Sequence, residues 1–144
     1  MVLVDTSVWS LALRREPQDL NPEQERIVAE WHGLVRDGWA RLIGPIRQEI
    51  LSGVRHKQQF AMLEARLAAF PDARIESADY VEAARFFNVC RESGVTGAHV
   101  DLLICAISFR AGWSIFSVDN DFERYARLLP IRLHRHGHST SRQP

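Results

Sequence analysis

The chain has 144 residues, with 18 basic and 18 acidic side chains and a formal net charge of zero. That length points to one domain, 46% hydrophobic residues suffice for a core, and 25% charged residues exclude a disordered polyelectrolyte. Zero net charge excludes binding to nucleic acid by bulk positive charge, and no apolar run approaches the roughly 20 residues that span a bilayer.

Met1 leads straight into Val2-Leu3-Val4 with no basic leader, so a cytoplasmic, non-membrane protein is expected. Seventeen of the 18 basic residues are Arg, the exception being Lys57. Arg suits forked recognition of phosphate, although genome base composition produces the same bias. Cys90 and Cys105 are too few for a disulfide scaffold and lack zinc-site spacing, so both are expected as reduced core residues.

Val2-Leu3-Val4 reads as a buried strand ended by Asp5, after which Thr6 or Ser7 caps a short helix carrying Val8, Trp9, Leu11 and Leu13. A loop from Pro17 to Pro22 leads to a helix with Asn21 as N-cap and Pro22 at its first position, stopped by Gly38. Arg41-Leu42-Ile43 is expected as a second strand, followed by a helix opened by Gly44-Pro45 and another from Lys57 to Phe70. Ala73-Arg74-Ile75 is a weak strand candidate, and Ser77 caps a helix running from Ala78 to Arg91. Val100 to Ala111 is apolar on nearly every side, the mark of a central buried helix. Trp113–Val118 is a strand, Asp119–Arg127 a short helix, and Pro130–Leu133 a last strand. Strands alternating with helices predict an α/β domain over residues 1–133 with a mainly parallel sheet. Residues 134–144 read as a polar, flexible tail.

Two of these strands lead into carboxylates, Asp5 and the Asp119-Asn120-Asp121 run. In parallel α/β sheets the ligand crevice lies beyond the carboxyl ends of the strands, so Asp5 and Asp119 share one crevice if their strands are neighbours. Taken singly, either could be a helix N-cap. Asp101 opens the most hydrophobic helix of the chain; it could complement the helix dipole, but Leu102 to Cys105 offer it almost no polar company. Glu49 borders the inward stripe of its helix next to Ile50, with a salt bridge to Arg47 or Arg55 as the plainer alternative. Asp5, Glu49, Asp101, Asp119 and Asp121 together form a set of converging carboxylates that repel one another unless some are protonated or cations sit among them. An oxygen-only donor set points to Mg²⁺ or Mn²⁺ rather than zinc. Carboxylate-held metal ions are the usual means of hydrolysing phosphodiesters in line.

The run Asp5-Thr6-Ser7-Val8-Trp9 resembles the opening motif of PIN-domain ribonucleases, in particular the VapC-type toxins of bacterial toxin–antitoxin pairs. Glu49-Ile50-Leu51-Ser52-Gly53, Gly94 ahead of Asp101-Leu102-Leu103-Ile104, and Ser117-Val118-Asp119-Asn120-Asp121-Phe122 follow in the family's order. The resemblance spans about residues 1–133 and implies a three-layer α/β/α sandwich with a mainly parallel central sheet. It implies that Asp5, Glu49, Asp101 and Asp119 form the catalytic acidic quartet, with Asp121 as a further metal ligand and Asp5 and Asp101 as the most direct ones. Thr6, Ser7 and Ser117 would steady that site. It further implies a Mg²⁺-dependent endoribonuclease toxin, with Mn²⁺ as a substitute, acting on structured RNA such as tRNA or rRNA. A VapB-type antitoxin partner and a homodimer are implied as well. A PIN nuclease of RNA processing or decay without an antitoxin, and a non-catalytic PIN-like RNA-binding module, are the alternatives.

Arg14 and Arg15 follow the first helix and are candidates to grip RNA phosphates at the crevice mouth, or else a solvated helix end. Trp9 and Trp113 belong to core elements, whereas Trp31 and Trp39 lie in a stretch that departs from the family pattern. His134-Arg135-His136-Gly137-His138 could touch RNA or bind metal adventitiously, or play no role. A receiver domain needs a late lysine and a haloacid-dehalogenase phosphatase needs Asp-x-Asp after the first strand. The chain has neither.

Overall fold

The structure, a computed structural model, describes residues 1–136. Four short parallel strands, β1 (Val2–Val4), β2 (Ala40–Arg41), β3 (Ser114–Phe116) and β4 (Arg132–Leu133), form one sheet in the order β2-β1-β3-β4. The helices are α1 (Thr6–Arg14), α2 (Pro22–Arg36), α3 (Gly44–Leu51), α4 (Lys57–Leu67), α5 (Ser77–Glu92), α6 (His99–Ala111) and α7 (Asp121–Leu128). The architecture is the expected three-layer α/β/α sandwich with a parallel central sheet. No helix among the described residues is long and apolar enough to cross a membrane.

The strands are apolar because the sheet is covered on both faces. Every residue of β1 is buried, and Ile115 and Phe116 of β3 are equally so. Helix α6 is buried from Leu102 through Ser108, which accounts for its apolar character on nearly all sides, and α5 packs along it. Trp9 lies wholly inside, donating its indole N–H to the Val4 carbonyl at 3.0 Å and meeting Trp31 and Phe70 edge-on. Trp31 is thus a core residue, whereas Trp39 is 52% exposed at the amino-terminal end of β1, far along the strand from Asp5. Cys90 and Cys105 are buried free thiols, both pushed up in pKa by burial.

Several boundaries differ from the sequence reading. The second strand is Ala40–Arg41, one residue earlier than expected, and Leu42 makes only an isolated bridge to Asp72. Ala73–Ile75 is not a strand. Its one link to the sheet region is the Ala73 N–H donated to Leu42, because the segment peels away toward Glu76 to start α5. The cap of α1 is Asp5 rather than Thr6 or Ser7, and the cap of α5 is Glu76 paired with Asp79 rather than Ser77. Helix α6 begins one residue early, at His99, and α7 two residues late, at Asp121. The N-cap at Asn21 is as expected, in a reciprocal box with Gln24. Gly38, at φ 73°, takes the left-handed turn that ends α2.

Asp79 is 1% exposed and is held by the guanidinium of Arg110, at 2.5 and 2.9 Å, and by the Glu76 N–H at 2.8 Å. Burial pushes its pKa up, but the Arg110 hydrogen bonds and charge and the Glu76 N–H outweigh this and hold it low. This pair ties the start of α5 to the end of α6 and with it orients the helix that carries Asp101.

Candidate active site

In chain order β1 is followed by β2 on one side and, later, by β3 on the other, so the winding direction of the sheet reverses between β1 and β3. Ligand crevices of parallel sheets open at such a reversal, beyond the carboxyl ends of the strands. Val4 pairs with Phe116, and the Asp5 N–H donates to the Phe116 carbonyl at 2.9 Å. The residues that leave β1 and β3, Asp5 and Ser117, therefore emerge side by side.

Asp5 is only 6% exposed, so its carboxylate needs hydrogen bonds in place of water. The hydroxyls of Ser7 and Ser117 donate to Asp5 Oδ2 at 2.7 and 2.8 Å, and the Ser7 N–H approaches the same oxygen at 3.4 Å. The Val118 N–H donates to Ser7 Oγ and the Asp119 N–H to Ser117 Oγ. Two serines thus bind Asp5 to the loop that carries Asp119. Among the described residues, Asp5 Oδ1 has no side-chain partner. Asp119 in turn accepts the Asp121 N–H at 2.9 Å, fixing the first turn of α7.

Asp101 enters from the first turn of α6, half-buried, and accepts a hydrogen bond from the Tyr125 hydroxyl at 3.0 Å. Burial first, and then the negative charges of Asp5, Asp119 and Glu49, push its carboxyl up to about 6, against the opposing effect of the Tyr125 hydrogen bond. Burial and the Asp101 charge also raise the Tyr125 phenol. Carboxylate oxygens of Asp101, Asp119 and Asp121 lie within 4.8 Å of one another. A hard divalent cation with Mg–O bonds near ~2.1 Å holds its ligand oxygens about 3–4 Å apart. Small side-chain rotations therefore suffice for all three to share one ion. Every donor is an oxygen, which fits Mg²⁺ or Mn²⁺.

Asp5 and Glu49 stand outside that trio. Asp5 stands just beyond β1 as the N-cap of α1, near enough for its charge to act on Asp101, while Glu49 is an exposed residue of α3 whose Oε2 accepts the Thr6 hydroxyl at 2.5 Å. The salt bridge considered for Glu49 does not form with Arg47, which binds Asp72 and the carbonyls of Leu67 and Phe70 instead. Arg15 lines a cavity beside the cluster, together with Ser7, Ser117 and Asp119. Arg14 is exposed and is not among the residues lining it.

Two features of the site were missed in the sequence. Tyr125 was not singled out, although it lies four residues after Asp121 and so on the same face of α7, the signal that could have found it. Of the segment read as a tail, His134 bonds Glu30 at 2.7 Å and packs edge-on against Phe116. Arg135 pairs with Glu123. Residues 137–144, including Gly137 and His138, lie outside the described residues. His99 stacks on Phe87 at 5.2 Å and makes no side-chain hydrogen bond among the described residues.

The PIN domain family model matches residues 2–128. VapC ribonuclease Mb1587 of Mycobacterium bovis and ribonuclease VapC11 of Mycobacterium tuberculosis are each 30% identical over 134 residues, covering 92% of this chain and 96% of theirs. Among solved structures, FitAcB from Neisseria gonorrhoeae superposes with a TM-score of 0.74 at 20% identity, covering 96% of this chain and 100% of that one. VapBC2 from Rickettsia felis, bound to a DNA fragment from its promoter, gives 0.68 at 13% identity, over 93% of this chain and 98% of that one. At those identities the structural likeness speaks for the fold.

Proposed function

Because the chain belongs to the PIN-domain family and is related to the VapC-type toxins, we propose that it is a Mg²⁺-dependent endoribonuclease toxin cutting structured RNA such as tRNA or rRNA. The observation that carries this reading is the Asp101, Asp119 and Asp121 oxygen cluster lying beside Asp5 at the strand-order reversal. In it, Asp5, Glu49, Asp101 and Asp119 are the catalytic acids, and they hold the metal with Asp121. When bound, a divalent cation acidifies water and offsets the charge that develops on the phosphate.

The chain's own residues supply the positioning. Tyr125 fixes Asp101 through a hydrogen bond to its Oδ2, within reach of Asp119 and Asp121. Ser7 and Ser117 occupy Oδ2 of Asp5, so that Oδ1 remains available to a cation or a water. Thr6 orients Glu49 through its hydroxyl. Asp101, its carboxyl pushed up to about 6 by burial and by the neighbouring negative charges, is the acid whose ionised form a bound cation would favour most. The VapB-type antitoxin and control of a shared promoter are proposed on the kinship with VapC proteins, with the Rickettsia felis VapBC2–promoter complex in support, and the homodimer is proposed on that kinship alone.

Expression of the wild type in a bacterial host, beside Asp5→Ala and Asp101→Ala, tests the reading when combined with sequencing of RNA 5′ ends. Growth arrest with new, discrete 5′ ends is expected from the wild type alone. Equal arrest and identical cleavage in all three would sink it.

A further inference from the structure

A cavity of about 660 Å³ opens immediately beside the acidic cluster. It shares Ser7, Ser117 and Asp119 with the site, so anything that reaches the carboxylates has its neighbouring group at the cavity mouth. Its volume lies within the roughly 300–1,000 Å³ of small-molecule pockets, room for a nucleotide. Leu11 and Ile27, both buried core residues, form its apolar base. Val118, 40% exposed despite being aliphatic, and the exposed ring of His136 supply surfaces against which a flat base can lie.

The polar groups of the wall are unevenly employed. Glu123 is paired with Arg135, and His134 with Glu30. Arg15 has no ion-pair partner among the described residues, and Asn120 makes no side-chain hydrogen bond there. Gln24 is the most informative. Its Oε1 is committed to the Asn21 N–H in the box that caps α2, which fixes the amide plane and leaves its NH₂ as an oriented donor without a partner among the described residues. Glu23, at the rim, is the lining carboxylate besides Asp119 that lacks a close ion pair. The cavity therefore offers a visitor amide donors, a cation and apolar faces.

We propose that this cavity is a nucleobase subsite that selects the nucleotide flanking the scissile phosphodiester. It does so with the Gln24 and Asn120 amides on the base edge, Val118 and His136 against its face, and Arg15 on the adjoining phosphate. With its oxygen committed to the Asn21 N–H, Gln24 cannot make the paired donor–acceptor contact by which an amide reads adenine, so its NH₂ favours a base that presents a carbonyl oxygen, uracil or guanine. The position beside a cut phosphodiester rests on the nuclease reading, but the cavity's preference for a base does not depend on catalysis.

The test uses the full chain carrying Asp101→Asn, metal-free, titrated with UMP, GMP, CMP and AMP while side-chain amide resonances are followed by NMR. UMP and GMP are expected to shift the Gln24 and Asn120 NH₂ signals and to bind about fivefold or more tightly than AMP, the worth of one hydrogen bond. Adding Gln24→Glu keeps the oxygen that caps α2 but replaces the NH₂ by an acceptor, and should erase that difference. Equal affinities for the four nucleotides, or binding that leaves Gln24 unmoved, overturns the subsite. In a randomised RNA pool the wild type should show a base bias beside the cut that Gln24→Glu reduces about fivefold, and an unchanged bias overturns the subsite as well. Absence of metal-dependent cutting by the wild type overturns the nuclease reading instead, and the nucleotide titration then decides the cavity alone.

Discussion

At the scale of single residues, Asp101 concentrates the electrostatic cost of the site. In the metal-free protein its carboxyl stands near 6, against about 3.9 for an ordinary aspartate. The folded chain therefore binds more protons than the unfolded one between those values, and stability falls as pH rises from about 4 to 6. Below that window the carboxyl is protonated in both states and the effect vanishes. Asp101→Asn, which cannot ionise, should melt several degrees above the metal-free wild type at pH 7.5, with the gap closing by pH 4. Melting curves at the two pH values check this, and a variant that melts lower at pH 7.5 contradicts it. Mg²⁺ or Mn²⁺ should then raise the melting temperature of the wild type and leave the variant unmoved. Ser117→Ala tests the other half of the site. It removes a donor from buried Asp5 and the acceptor of the Asp119 N–H, so urea unfolding should show a loss of roughly 1–3 kcal/mol. The acids themselves were legible in the sequence, because carboxylates among apolar residues demand explanation. Their hydrogen-bond partners were less so. A tyrosine on an amphipathic helix looks like core until its hydroxyl is seen to reach Asp101.

At the scale of elements, the approach of α6 to the sheet depends on the loop before it. Gly97 is packed so closely that an added Cβ would stand 2.2 Å from Leu102 Cδ2 and 3.4 Å from the ring of Tyr125. Gly97→Ala must displace the Leu102 side chain, next to Asp101, against the Tyr125 ring already in contact there. It is expected to lower stability by about 1–3 kcal/mol, as overpacking does, and to reduce RNA cleavage further than that loss explains. Denaturant unfolding beside initial cleavage rates, both below the melting transition, separates the two effects. Long amphipathic elements such as α2 and α5 announced themselves through periodicity and terminal signals. The differences came where a side chain one or two residues away took over a role, as when Asp5 capped α1 and Glu76 capped α5. Ala73–Ile75 failed for a different reason: three residues of mild strand propensity cannot outweigh the connection that must reach the α5 cap.

At the scale of the whole molecule, zero net charge conceals a division of labour. With the five site carboxylates set aside, 18 basic residues face 13 acids over the remainder, so a chain that looks neutral is basic around an acidic crevice. The fold produces that crevice through one topological fact, the adjacency of β1 and β3 at the reversal of strand order, which sequence alone could state only as a condition. Once those strands pair, residues more than a hundred positions apart, Ser7 and Ser117, close on the same oxygen of Asp5. The most direct measurement of the central claim is cleavage of a structured RNA by the purified protein with Mg²⁺, with chelator, and with Asp101→Asn in place of the wild type. Cleavage that needs the metal, and falls in the variant by more than the roughly 10–100-fold typical of an outer-shell partner, is the predicted result. Cleavage that survives chelation, or that Asp101→Asn leaves intact, would contradict it.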